Sequence, residues 1–149
     1  MKEKRKLPKA LIAYYGLLQS LHLLVLIRAG FILLQGGEAP FPILPPPEGW
    51  AEQSMGFMFG LAAMDVIGII FGIIFSYKTL IKGKFLPILG ILSLTIFISG
   101  AVVFGTGTFP PGAWAANPIS YWVMVVLFAP APLLLLNLIK ITKTPKPLT

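Results

Sequence analysis

Residues 56–77 read GFMFGLAAMDVIGIIFGIIFSY and are apolar throughout except for one acid, Asp65. A helix of about 20 apolar residues matches the thickness of the hydrocarbon core of a bilayer, so this stretch predicts a transmembrane helix. An acid at that depth is costly and normally faces a protein partner rather than lipid. We therefore expect this helix to lie in a bundle, with Asp65 directed at a neighbouring helix.

Small residues recur along the same stretch at a spacing that places them on one side of a helix. They are Gly56, Gly60, Gly68, Gly72 and Ser76. A row of small residues allows a second helix to approach closely. The row predicts helix packing, either within the chain or between two copies of it.

The composition of the chain places it in the membrane class. It has 149 residues, enough for one domain (1–149), and 56% of them are hydrophobic. The formal net charge is +7, but eleven of the twelve Lys and Arg residues lie in the two tails and one short loop, beside hydrophobic runs. That placement is the positive-inside pattern of a membrane protein and argues against a nucleic-acid partner.

The chain contains four apolar runs, and each is interpreted as a transmembrane helix. The expected helices cover approximately residues 10–34, 51–78, 85–105 and 118–141. The first run is too long for a signal peptide and contains polar residues, so we expect it to be retained. The predicted fold is an all-α integral membrane protein, a four-transmembrane-helix bundle made of two helical hairpins.

The loops predict how this bundle is oriented. Loops 36–50 and 106–117 are rich in proline and contain no Lys or Arg, whereas loop 78–84 contains three lysines. The first two are therefore expected to be external, with loop 78–84 and both termini cytoplasmic in a cell (plasma) membrane. PPEGW at 46–50 and PPGAW at 110–114 indicate either a repeat of the hairpin or ordinary interface composition, and we prefer the second interpretation.

Two prolines, Pro130 and Pro132, fall near the middle of the fourth run. Each removes an amide donor and crowds the preceding turn, so a kink is expected there. The kink would free the carbonyl oxygens of Val126 and Phe128.

The sharpest candidate site joins the first two helices. Counted at 1.5 Å per residue, Asp65 lies about 20 Å and His22 about 18 Å from the external ends of their helices, so the two are nearly level. Tyr15, Gln19 and His22 share one face of the first helix. An Asp–His pair in a medium of low dielectric can bind a ligand or pass a proton, or it can simply fasten two helices together. The fastening role is the preferred interpretation.

Arg28 is the other charge within a predicted span. It lies about 9 Å from the external end of the first helix and points about 120° away from His22. It suits an anion or lipid-headgroup site, or it reaches the membrane surface or pairs with Glu52 or Gln53. We prefer the second interpretation, because long basic side chains commonly extend to the interface.

The composition also excludes several kinds of chemistry. The chain has no cysteine and one histidine, so disulfides, thiolate catalysis, iron–sulfur clusters and zinc sites built on several imidazoles are excluded. Sequence motifs of phosphate-binding loops, zinc proteases and serine hydrolases are missing. No cofactor and no metal are therefore expected.

The four-helix layout with an acid in the second helix is broadly similar to that of the small DoxX-like membrane families of bacteria and archaea. The resemblance covers the architecture of the whole chain. The redox cysteines that some of those proteins use are missing here, and no residue roles are transferred.

Three functions remain open on the sequence alone. The preferred hypothesis is a non-enzymatic bundle that acts as a homo-oligomer or as an accessory subunit of other membrane proteins, with membrane lipids as its surroundings. The first alternative is a small-ligand or proton-coupled carrier that uses Asp65 and His22 in a central cavity. The second is a membrane enzyme that acts on a lipid-like substrate.

Overall fold

The computed structural model describes residues 8–37, 52–109 and 112–143, and every regular element within them is helical. The helices are α1 (Lys9–Leu34), α2 (Glu52–Leu80), α3 (Pro87–Thr108), α4 (Ala113–Ala116), α5 (Pro118–Phe128) and α6 (Pro130–Thr142). Four spans are long and apolar enough to cross a membrane: α1, α2, α3 and the joined α5–α6 segment. The predicted all-helical fold with four apolar spans is confirmed, and it indicates a membrane protein.

The helix ends follow from local sequence. α1 ends before Gly36, which has a φ of +75°, and the amide of Gly37 returns to the carbonyl of Ile32. This left-handed glycine ends a helix at no steric cost. α5 begins at Pro118, where a missing amide is tolerated, and the side-chain oxygen of Asn117 accepts a hydrogen bond from the amide of Ser120.

Neighbouring spans run antiparallel. For α1 and α2, Gly16 lies near Ser76 and His22 lies near Asp65. For α2 and α3, Phe75 lies near Gly90 and Phe57 lies near Gly107. For α3 and the fourth span, Gly90 lies near Leu138 and Phe104 lies near Tyr121. We call the end at which α1 begins and α2 turns into α3 the basal end. The opposite end, where α1 ends and α2 begins, is the distal end.

The packed core lies in the basal half. Its buried side chains come from all four spans: Ile12, Tyr15, Phe75, Leu94, Phe97, Ala131, Leu134 and Leu138. These buried side chains fill the centre of the bundle in its basal half. The distal half is packed less fully, and the cavities described below lie there.

The glycine row of α2 divides into two halves. A β-carbon added at Gly72 would lie 2.7 Å from the Ser93 hydroxyl and 3.0 Å from Gln19 Cγ, so α1 and α3 both approach the backbone there. Gly68 is similarly close to α3. Gly56 and Gly60 have no atom of the described chain within 4 Å of an added β-carbon. Within one copy, only the basal half of the row brings helices together.

The fourth span is interrupted at Ala129, beside the Pro130–Pro132 pair. Ala129 keeps helical angles (φ −52°, ψ −33°), so the backbone conformation stays helical between α5 and α6. The kink expected from the two prolines stays a prediction. The hydroxyl of Tyr14 on α1 donates to the carbonyl of Leu127 at 2.8 Å. A hydroxyl of another helix therefore donates to a carbonyl close to the break. This carbonyl lies between those of Val126 and Phe128, which the sequence predicted to be freed.

The two predicted external loops differ in how much the structure describes. Within 106–117, α3 extends to Thr108 and Ala113–Ala116 form the short α4, so this connection is partly helical. The hydroxyl of Thr106 bonds the carbonyl of Val102, and the indole of Trp114 donates to the carbonyl of Gly105. Residues 38–51, which include most of the first loop with Trp50 and the PPEGW segment, lie outside the described residues, as do 110 and 111 of PPGAW.

Candidate functional site

A cavity of about 370 Å³ lies in the distal half of the bundle between α1, α2, α3 and α5. Its lining begins at His22 and Asp65, near mid-span, and reaches Leu33 and Met58 toward the distal end. His22 and Asp65 are the ionisable residues among the described residues of this lining, and the other described members are apolar. The cavity is therefore an apolar space with one polar end.

Several of the residues that line the cavity are small, and small side chains leave space between the helices. The small lining residues are Ala29, Gly30, Ala62, Ala63, Gly100 and Ala101. Four phenylalanine rings complete the wall: Phe59, Phe97, Phe104 and Phe128. A wall of methyl groups and rings favours an apolar occupant.

His22 and Asp65 are brought together at the basal end of this cavity. The distance between His22 Nε2 and Asp65 Oδ2 is 3.9 Å, and the two side chains are 27% and 23% exposed. The separation lies within ion-pair range but beyond that of a hydrogen bond. A β-carbon added at Gly100 would lie 3.1 Å from Asp65 Oδ1, so the other carboxylate oxygen is held against the backbone of α3.

Tyr15 takes part in a polar contact on the basal side of this pair. Its hydroxyl and that of Ser93 lie 2.7 Å apart, and Ser93 donates to the carbonyl of Gly68. Gly72 lets α3 come close enough for Ser93 to reach α1 and α2. Thr95 does return its hydrogen bond within α3, to Ile91.

Gln19 is completely buried, and neither atom of its amide has a hydrogen-bond partner within the described part of the chain. The amide lies on the same face of α1 as Tyr15 and His22, with its Cγ against Gly72. It does not line the cavity. A buried amide without a partner is costly, so this position is a local weakness of the α1–α2 contact.

Arg28 stands apart from the pair. It is exposed on α1 and does not line the cavity. It has no ion-pair partner among the side chains that the structure describes. The side chains of Glu52 and Gln53, its expected partners, lie outside the described residues.

A second cavity of about 720 Å³ lies between α3 and α5. It shares part of its lining with the first cavity, including Phe97, Met124 and Phe128. The rings of Phe97 and Phe128 meet edge to face, with centroids 4.5 Å apart. This second space carries no Asp, Glu, His, Lys or Arg in its described lining, and Thr106, Trp114 and Tyr121 are its polar members.

Sequence reasoning missed two participants of the site. Gly100 supports the carboxylate, and Ser93 joins three helices. Small residues occur throughout the third span, so no sequence signal separates these two from their neighbours. Within the described residues, no three His, Asp or Glu side chains come together as a metal site would require.

Comparison with protein-family models, with curated proteins and with solved structures finds no match to this chain.

Proposed function

We propose that this protein is a non-enzymatic integral membrane protein that binds a small, mostly apolar molecule in the cavity on the distal side of His22 and Asp65. One observation carries the proposal: the acid and the imidazole line an apolar cavity, each about a quarter exposed, instead of being sealed against each other. A simple helix fastening requires neither the exposure nor the space. Small-molecule sites typically are concave and apolar, with a few polar groups and volumes of about 300–1,000 Å³.

The proposed setting is the plasma membrane with both termini cytoplasmic. The support is the placement of eleven of the twelve basic residues in the tails and in loop 78–84. In this orientation the distal end faces outward, and the cavity lies in the outer half of the bilayer. The ligand would then come from the outer leaflet or from outside the cell.

A carrier function is compatible with this site, and an enzymatic one has less support. Phe128, the last residue of α5, lines the cavity, so the break at Ala129 lies beside the ligand. An enzyme acting on a lipid-like substrate would need a further polar group to stabilise developing charge. All lining residues other than His22 and Asp65 are apolar.

The binding proposal is tested by photolabelling in phosphatidylcholine nanodiscs with a dodecyl chain that carries a diazirine. We expect saturable labelling of residues 58–66 and 97–104, blocked by excess tridecane. Ala62→Phe fills the cavity and should reduce labelling several-fold. Ile67→Phe adds the same ring on an exposed position of α2 outside the cavity lining and should leave labelling unchanged.

Labelling that does not saturate, or that spreads evenly over the exposed side chains of all spans, would contradict the proposal. Equal labelling of Ala62→Phe and Ile67→Phe would contradict it as well.

Assembly with a second copy or with another membrane subunit is the second candidate. It is favoured by Gly56 and Gly60, four residues apart on α2 with open space around both. Because the chain has no cysteine, a single Gly60→Cys variant reports contact between copies through disulfide formation in membranes. Val102→Cys, on an exposed position of α3, is the control. Equal cross-linking at both positions would indicate random collision.

A further inference from the structure

The polar end of the cavity has a gap of defined size. His22 Nε2 and Asp65 Oδ2 are 3.9 Å apart, too far for a direct hydrogen bond. Apart from this contact, neither side chain has a hydrogen-bond partner among the described residues. Polar atoms at this depth cannot turn to bulk water, so each has an unmet hydrogen-bonding capacity directed at the cavity.

The gap has the width that a single oxygen atom would bridge. An atom about 2.8 Å from each partner, the usual distance for hydrogen bonds to oxygen, closes a triangle on the 3.9 Å side. The second carboxylate oxygen lies against Gly100, which leaves Oδ2 as the oxygen nearest His22. A hydroxyl both donates and accepts, so it can donate to the carboxylate and accept from the imidazole N–H at the same time.

The charge of the site selects a neutral ligand. The described lining of the cavity holds one acid and one base and no Lys or Arg. With a single proton shared between them the pair is neutral overall, as carboxylate and imidazolium or as carboxyl group and neutral imidazole. An added anion or cation would leave a net charge in an apolar space, which is strongly disfavoured. Fatty acids, phosphates and ammonium lipids therefore fit the site less well than alcohols.

The volume indicates a small-molecule ligand. The cavity of about 370 Å³ falls within the about 300–1,000 Å³ that small-molecule sites usually occupy. The walls beyond the pair are apolar side chains, with alanine, leucine and phenylalanine among them. The occupant is thus a small molecule with an apolar body and one polar end.

We propose that the ligand class of this cavity is a neutral amphiphile with a single hydroxyl group, an alcohol or a phenol, whose oxygen bridges His22 Nε2 and Asp65 Oδ2. This inference rests on the proposed binding function and adds the chemistry of the ligand to it.

The test is competition against the photoreactive alkane in phosphatidylcholine nanodiscs, whose lipid offers no hydroxyl group. The competitors share one chain length: 1-dodecanol, methyl undecyl ether, tridecane and dodecylammonium. Each concentration is corrected for partition into protein-free nanodiscs. We expect dodecanol to displace the probe at a concentration at least tenfold lower than each of the other three.

Two variants assign this preference to the pair. Asp65→Leu and His22→Leu each remove one side of the bridge, and in each the advantage of dodecanol over the ether should fall to less than about twofold. Ile67→Phe is the control and should retain the full advantage. Retention of probe labelling shows that a variant is folded, and either variant alone suffices for the comparison.

The outcomes separate the two proposals. Saturable probe binding with equal displacement by alcohol, ether and alkane would leave the binding function standing and overturn the hydroxyl assignment. Strongest displacement by dodecylammonium would also overturn it, in favour of a cationic ligand. Absence of saturable binding in the parent protein would overturn the binding function and the hydroxyl assignment together.

Discussion

The carboxylate of Asp65 is placed by two neighbours that belong to different helices. Oδ2 faces His22 on α1, and Oδ1 occupies the space that a side chain at position 100 on α3 would require. The acid is costly at this depth, and it borders the cavity instead of being sealed against a protein partner. Gln19 presents the opposite case, since it is buried in the packed interior without a partner.

We expect Gln19→Leu to stabilise the protein. Leucine has a volume similar to that of glutamine but no polar group to bury. The desolvation cost of the unpaired amide therefore disappears, and the free energy of unfolding should rise by about 1 kcal/mol. Denaturation in detergent micelles, followed by circular dichroism, measures the change. Gln19→Glu keeps the size, adds a charge and should be destabilising. A loss of stability in Gln19→Leu would show that the amide has a bonding role in the native protein.

The glycines of α2 act differently at its two ends. At the basal end Gly72 sets the distance at which α1 and α3 pass, and this close approach allows Ser93 to bond Tyr15 and the carbonyl of Gly68. At the distal end a β-carbon added at Gly60 would meet nothing in the described chain, and the cavity lies in this half of the bundle. One helix therefore carries both a tight contact and an open face.

A pair of matched substitutions tests this difference. Gly72→Ala should cost about 1–3 kcal/mol of stability through overpacking, because the new β-carbon meets Ser93, Gln19 and Tyr15 within 3.1 Å. Gly60→Ala adds the same methyl group into open space and should be neutral or slightly stabilising. Thermal unfolding of both variants in the same detergent compares them. Equal losses would mean that Gly60 also packs against something, as contact with a second copy would require.

As a whole, the molecule is a bundle closed at its basal end and hollow at its distal end. The basal core draws side chains from all four spans, whereas the distal half contains both cavities. The basic residues concentrate at the basal end: the described ones include Lys78, Lys82, Lys84, Lys140 and Lys143. The packed end and the positively charged end coincide.

Reporter fusions test the predicted orientation of the bundle in the membrane. An alkaline phosphatase fused after Gly37 should be active, because that position is expected outside, and the same enzyme fused after Lys82 should be inactive. A fluorescent protein, which folds in the cytoplasm, should give the reverse pattern at the two sites. The opposite result for both reporters would place the hollow end toward the cytoplasm and move the proposed ligand to the inner leaflet.

Much of this architecture could be predicted because it depends on local properties. Length and hydrophobicity of each run predict the spans, and the helical rise alone places His22 level with Asp65. The partners of Ser93, Gly100 and Tyr14 could not be predicted. Each depends on how far two helices are rotated about their own axes, which hydropathy in a nearly uniform apolar span does not encode.

The sequence by itself thus determined the all-helical class, the four spans and the facing pair of Asp65 and His22. The tertiary structure alone decided that this pair ends an apolar cavity instead of being sealed. The reason is that a cavity depends on which side chains of separate helices come together when the helices pack. Ala29, Ala62 and Ala101 are ordinary residues of three separate helices, and only when the helices pack do they line one common space.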